Sequence, residues 1–258
     1  QPLVRDEFLI DPPNTGEYSG VTNPSTGSPS AAWLQGQGGG IGFTGTWDGT
    51  GNQFVVDSDT TLSIPGRASD GGNATVTFGT TPGNLPTRSF APTVQATLSA
   101  APEIWFSFLH RNDNAGGTNG LRLFADSGSV IGIEQRLDHY IARLDGSNSF
   151  NTGSAGAFTA NQDHLLIGRL EIDRSAAAAE TLSLWAITDV ANFDINSPLE
   201  TVSLDVITAI DPSIASAELF KNDAGFVFDS IRIGTDARSV ISDAGLVAVP
   251  EPGSCVAW

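Results

Sequence analysis

The sequence predicts an all-β chain, an antiparallel sandwich of two sheets in a single domain. Three observations carry this. Short apolar runs recur along the chain with turn residues between them, and no helical pattern of about 10–15 residues separates them. Glycine (29) and proline (14) are dense while charged residues make up only 16% of the chain, so turns and a core are both well supplied. At 258 residues, one sandwich accommodates the whole chain.

The run LVRDEFLI (3–10) is apolar at both ends and is stopped by DPPNTG, so it reads as the opening strand. A Gly, Ser, Pro and Asn stretch over 11–30 follows, then AWLQG, the glycine cluster GQGGGIGF and GTWDGTGNQFVV. A phosphate-binding glycine loop needs a helix N-terminus behind it, and no helical pattern follows this cluster; it reads as a tight connection between short strands. The further strand-like runs are TLSIPG, NATVTFG, PTRSFAP, EIWFSFLHR, GLRLFAD, SVIGIEQR, HYIARLDG, DHLLIGRLEID, ETLSLWAI, ASAELF and GFVFDSIRIG. Only SAAAAE (175–180) has the makings of a helical turn, and it reads more simply as a connection. In EIWFSFLHR, alternation puts Ile104, Phe106, Phe108 and His110 on one face and Trp105, Ser107 and Leu109 on the other; one face is expected in the core, the second on a concave or inter-sheet surface. In GFVFDSIRIG it puts Phe226, Phe228, Ser230, Arg232 and Gly234 together, opposite Val227, Asp229, Ile231 and Ile233. The domain is expected over 1–242, with an extended tail over 243–258.

The formal net charge is −17, and Lys221 is the sole lysine. Such a field repels nucleic acid and anionic membrane surfaces, leaving soluble polymers, divalent cations and other proteins as partners. Methionine is absent, even at position 1, which leads to the expectation that a secretory signal peptide was removed and that Gln1 is the mature N-terminus. Cys255 is the only cysteine, so no internal disulfide forms. No stretch approaches the roughly 18 apolar residues of a membrane span.

The layout of EIWFSFLHR, then DHLLIGRLEID with ETLSLWAI, and finally GFVFDSIRIGTD resembles the concanavalin A-like lectin/glucanase jelly roll, above all the laminin-G-like domains of secreted bacterial proteins. In that fold the closing strand lies beside the N-terminal one. The tail motif Pro250-Glu251-Pro252, within VPEPGS, is similar to the opening of the PEP-CTERM sorting signal of Gram-negative bacteria that make extracellular polysaccharide. There an apolar helix and an arginine cluster follow, and a membrane protease, exosortase, processes the signal. Here only Cys255 to Trp258 represents the apolar part, and the arginines are missing.

Glucanases of this fold carry Glu-x-Asp-x-Glu or Glu-x-Asp-x-x-Glu on one strand, because a retaining mechanism needs two carboxylates roughly 5 Å apart. The chain offers Glu171-Ile172-Asp173, but Ser175 and Ala176 stand where the second glutamate belongs. Glu171 and Asp173 then read as the solvent face of a strand. His110, His139 and His164 lie in separate segments without metal-binding spacing, and no Gly-x-Ser-x-Gly elbow occurs. No catalytic residue is assigned.

The Gly-rich stretch NDNAGGTNG, with Asn112, Asp113, Asn114 and Asn119, offers the oxygen-dense loop that Ca²⁺ prefers, although a plain hairpin accounts for it equally. DGTGN (48–52) and DSD (57–59) are similar. A sugar site needs an exposed aromatic ring among amides and carboxylates; Trp47 qualifies by abutting the polar turn with Asp48 and Asn52, whereas Trp105 and Trp185 lie in apolar strands and read as core. Asn73 heads the only glycosylation sequon. The expected function is that of a secreted, non-enzymatic protein of the Gram-negative cell surface or extracellular matrix, binding polysaccharide or a matrix protein, with calcium as a candidate cofactor. Two alternatives stand beside it: a self-assembling subunit of a filament or sheath, and a glycoside hydrolase.

Overall fold

The computed structural model describes residues 1–8, 10–11, 18–19, 31–34, 36, 38–49, 54–57, 61–68, 73–76, 85–112, 117–145, 155–172, 179–204, 214–221 and 226–242. The strands among them are β1 (Val4–Asp6), β2 (Ile10–Asp11), β3 (Tyr18–Ser19), β4 (Ala31–Trp33), β5 (Phe54–Asp57), β6 (Ser63–Ile64), β7 (Arg67–Ala68), β8 (Asn73–Val76), β9 (Thr87–Ser89), β10 (Glu103–Asn112), β11 (Thr118–Ala125), β12 (Val130–Arg136), β13 (His139–Asp145), β14 (Ala155–Ala157), β15 (His164–Glu171), β16 (Glu180–Ile187), β17 (Glu200–Leu204), β18 (Ile214–Lys221) and β19 (Phe226–Gly234). Two α-helices, α1 (Pro92–Ala100) and α2 (Ala237–Ile241), and one 3-10 turn (Val190–Asn192) accompany them.

Two antiparallel sheets make the sandwich. The larger runs β17, β16, β15, β10, β19, β8, β5, β4, with β1 also on β19; the smaller runs β14, β13, β12, β11, β18, β9. The closing strand does lie beside the first one, with Val4 opposite Ile233 and Asp6 opposite Ile231. Glycine makes that edge possible. Gly40 and Gly42 both have positive φ, and a Cβ on either would sit 2.4 Å from the Arg5 carbonyl oxygen or 2.2 Å from that of Leu3. The glycine cluster is therefore a close-packed connection laid against β1.

The inward faces of the two sheets supply the main core, including Phe54, Phe106, Phe108, Leu121, Ile133, Leu166, Leu184, Leu219, Phe228 and Ile231. The inner face expected for β10 is confirmed, but its other face is no open concavity. Trp105, Leu109, Leu165, Ile167, Trp185 and Ile187 form a second cluster with Leu62, Ile64, Val240 and Ile241. The β6–β7 hairpin, the segment after β16 and α2 thus cover the outside of the larger sheet. This double burial explains why β10, β15 and β16 read as apolar runs with weak alternation.

The faces expected for β19 need correcting. Ser230 has φ +52, and the register with β10 shifts between the Ser107 and Leu109 pairs, which marks a bulge. Phe226 and Phe228 face the core before it, and Ile231 and Ile233 face the core after it. A single extra residue thus keeps both apolar pairs inside, where strict alternation would have expelled one.

Two helices and several strands, β3, β7, β14 and β17, add to the elements expected. Pro92 opens α1 at a position whose N–H has no intrahelical partner, and Val94 and Leu98 are buried one turn apart. Its β-branched Thr93, Val94 and Thr97 weaken the helical signal. α2 is capped by Asp236, whose side chain accepts from the Ser239 N–H. β17 pairs with β16, with Val202 buried between exposed Thr201 and Ser203.

Candidate functional site

At one end of the sandwich, loops and strand ends enclose a groove of about 470 Å³. It is lined by Thr159, Gln162 and His164 ahead of and at the start of β15, by Trp185, Ala186 and Ile187 at the end of β16, and by Thr188, Asn192, Asp194, Ser197 and Leu199 from the connection to β17. That connection, TDVANFDINSPLE, is fastened at several points. Asp189 caps the 3-10 turn by accepting from Ala191 N–H at 2.8 Å. The Val190 N–H donates to Pro65 and the Leu199 N–H to Leu184. Trp185 Nε1 donates to the Asp194 carbonyl at 2.8 Å, and Phe193 packs against both Trp105 and Trp185. The Asp194 carboxylate accepts from the Asn196 N–H at 2.9 Å and from Ser197 Oγ at 2.9 Å, and these bonds hold it below the usual carboxylate range. The groove wall is therefore preorganised around one carboxylate, two amides and several hydroxyls.

His164 joins this surface to a buried polar network. Its Nδ1 lies 3.1 Å from the Gln162 carbonyl, which puts the hydrogen on Nδ1 and leaves Nε2 as an acceptor. Burial lowers its affinity for a second proton. His110 lies directly opposite on β10, fully buried, with Nε2 donating to Asn119 Oδ1 at 2.6 Å and Nδ1 facing the Tyr140 hydroxyl at 3.4 Å. Burial is the largest cause of its pKa falling to about 4, and it raises that of Tyr140. Gln135 accepts from Asn112 at 2.7 Å and from Asn119 at 3.3 Å, and donates to the Leu137 carbonyl at 2.7 Å. Leu137 itself sits at φ +56 in the two-residue turn between β12 and β13. The network thus secures the loops at this end from beneath.

The residues singled out from the sequence fall elsewhere. Trp47 is fully buried, its Nε1 donating to Asp6 at 3.3 Å and its ring packed against Phe8 and Phe43, so it offers no face to a sugar. The polar turn that drew attention to it lies beyond the indole: Asp48 is exposed and pairs with Thr87, and Asn52 lies outside the described residues. Of the suggested calcium ligands, Asn112 and Asn119 point inward and are spent on Gln135 and His110. They end one strand and begin the next at inward positions, and β10 and β11 belong to different sheets, so the stretch between them is not a hairpin. Asp113 and Asn114 lie outside the described residues, as do Asp173, Pro250, Glu251 and Pro252. Among the described residues no three His, Cys, Asp or Glu side chains converge as metal ligands. Asn73 begins β8, opposite Asp57. Glu171 lies on the outer face, where Arg169 bonds both it at 2.9 Å and Glu103 at 2.8 Å.

A second constellation that the sequence concealed crosses the outer face of the smaller sheet. Arg122 Nε donates to Glu134 at 2.7 Å and its guanidinium covers the Phe220 ring; Arg143 and Glu218 flank them. Gly120 and Gly132 leave room for these side chains, since a Cβ at Gly120 would lie 3.0 Å from Glu134 Cγ. These charges answer one another across the face.

No family model matches the chain, and no curated protein matches it. Among solved structures it is similar to an endo-β-1,4-glucuronan lyase from the fungus Trichoderma reesei, at 13% identity and a TM-score of 0.42, over 73% of this chain and 93% of that one. It is also similar to a marine alginate lyase from Aplysia kurodai, at 10% identity and a TM-score of 0.46, over 70% and 89%. A third is the galectin LEC-6 of Caenorhabditis elegans, at 9% identity and a TM-score of 0.36, over 52% and 84%. With TM-scores all below 0.5, these similarities assign no role to any residue of this chain.

Proposed function

We propose that this chain is a non-enzymatic, concanavalin A-like glycan-binding protein and that the groove between the start of β15 and the 188–199 connection is its binding site. The observation that carries this reading is the lining: hydroxyls, two amides, a histidine acceptor and one carboxylate arranged around the edge of an indole. Pyranose hydroxyls both donate and accept, and such a lining answers them with both kinds of group. Among the described residues that line the groove Asp194 is the sole carboxylate, so they do not include the carboxyl pair that glycoside hydrolysis uses. Glu171, the best remaining acid on sequence grounds, is bonded to Arg169.

The test is a polysaccharide pull-down with and without calcium, comparing the native chain with Gln162→Ala and Asn192→Ala. Loss of binding in the variants, with no release of new reducing or unsaturated ends from the polymer, supports the proposal. Turnover of any polymer, or binding indifferent to both substitutions, overturns it. Calcium dependence would place the ion in this proposal as a cofactor.

The same proposal holds the protein to be secreted to the cell surface or matrix of a Gram-negative bacterium, with Pro250, Glu251 and Pro252 as a PEP-CTERM-type sorting motif read by exosortase. Fractionation of cells expressing chains with and without 243–258 tests this. Self-assembly into a filament or sheath remains the rival from another class. A monodisperse species near 26.8 kDa at all calcium concentrations contradicts it.

A further inference from the structure

We infer that the groove accepts uncharged, hydroxyl-rich sugar units and discriminates against uronate-bearing polymers. This inference rests on the groove being the glycan site and adds the charge class of the ligand.

Among the described residues no arginine or lysine lines the groove, and Asp194 is the charged group that does. A sugar carboxylate drawn out of water into such a site needs a guanidinium or ammonium partner to offset its lost hydration. None is within the lining to supply it. The Arg111 guanidinium, close by in sequence to His110, is bonded to Asp163, the residue before His164. Burial lowers the pKa of His164, and its Nδ1–H is committed to the Gln162 carbonyl, which leaves Nε2 with a lone pair. That lone pair and the Asp194 carboxylate both call for ligand donors, which hydroxyls provide and carboxylates do not. The donors turned toward Asp194, from Asn196 and Ser197, keep it ionised without bringing any positive charge. The net charge of −17 adds a longer-range repulsion that salt screens.

The experiment titrates the protein with short neutral oligosaccharides (glucan, galactan and xylan series) and with oligoalginate and oligoglucuronate of matched length, at low and high ionic strength. Calorimetry and tryptophan fluorescence, the latter sensitive to Trp185, are the readouts. At least one neutral series is expected to bind with an affinity that changes less than about twofold with salt, while the uronates bind at least about tenfold more weakly at low salt. In Asp194→Asn, which keeps an acceptor for the Asn196 N–H, the ratio of neutral to uronate affinity should fall by several-fold, whatever the change in neutral affinity. Uronates binding as tightly as neutral sugars, and losing that binding in Asn192→Ala, would overturn this inference and leave the glycan site standing. Binding of none of these series would overturn both.

Discussion

The Arg67 guanidinium is 1% exposed beneath the β6–β7 hairpin, and it donates to the Ser230 carbonyl and hydroxyl, the Ser107 hydroxyl and the Val240 carbonyl. It therefore ties the hairpin, the β19 bulge and α2 together through one side chain. Arg67→Met keeps much of the bulk and removes the donors, leaving buried acceptors unsatisfied. A loss of about 3 kcal/mol in denaturant unfolding is expected, with an unchanged m-value. Asn192, exposed on the groove wall, should behave in the opposite way. Asn192→Ala is expected to leave the unfolding midpoint within about 0.5 kcal/mol of the native chain while weakening glycan binding about tenfold, measured by calorimetry. Trp47 and Trp185 illustrate what was legible here. Trp47 directly precedes a polar turn, whereas Trp185 lies two strand residues ahead of the polar connection TDVANFDINSPLE. Both indoles are buried, Trp47 against Phe8 and Phe43 and Trp185 against Phe193 at the floor of the groove, and what packs above each is decided only by the fold.

The Phe106 ring lies over Gly168, its partner across the β10–β15 ladder, because that residue has no side chain: a Cβ there would lie 2.4 Å from the ring and 2.7 Å from Ile133. Gly168→Val inserts bulk into the centre of the sandwich and is expected to lower stability by roughly 1–3 kcal/mol or more, visible as a lower Tm. The inward face of β10 was legible because Ile104, Phe106 and Phe108 fall at every second position, although Trp105 and Leu109 make the other face apolar as well. That of β19 was not, because a bulge leaves no mark in the composition of FVFDSIRIG. Ser230 at φ +52 is a backbone choice enforced by the pairing with β10 on one side and by Arg67 on the other. α1 escaped for a related reason, since its two buried residues are too few to write a helical period into nine positions.

For the molecule as a whole, acid is the informative perturbation. His110 has a folded pKa of about 4 against an ordinary 6.5, so between those values the unfolded chain binds a proton that the folded chain refuses. Its contribution is fully present above pH 6.5 and is lost as pH falls toward 4, an effect of about 3 kcal/mol. Burial moves His164 in the same direction, whereas Glu200 and Glu218, raised by burial, oppose it. Denaturant unfolding from pH 7 to pH 4 should show a steeper loss in the native chain than in His110→Gln; parallel curves would exclude His110 as the titrating group. The amino-acid order sufficed for the two-sheet sandwich, for its opening and closing strands and for the acidic net charge, because periodicity, turn residues and net charge are local or additive properties. The pairing of His110 with His164, the gathering of Arg122, Glu134 and Glu218, the outer layer over the larger sheet and the groove itself were beyond it. Each joins residues from strands distant along the chain, and register, bulges and burial settle which of them meet.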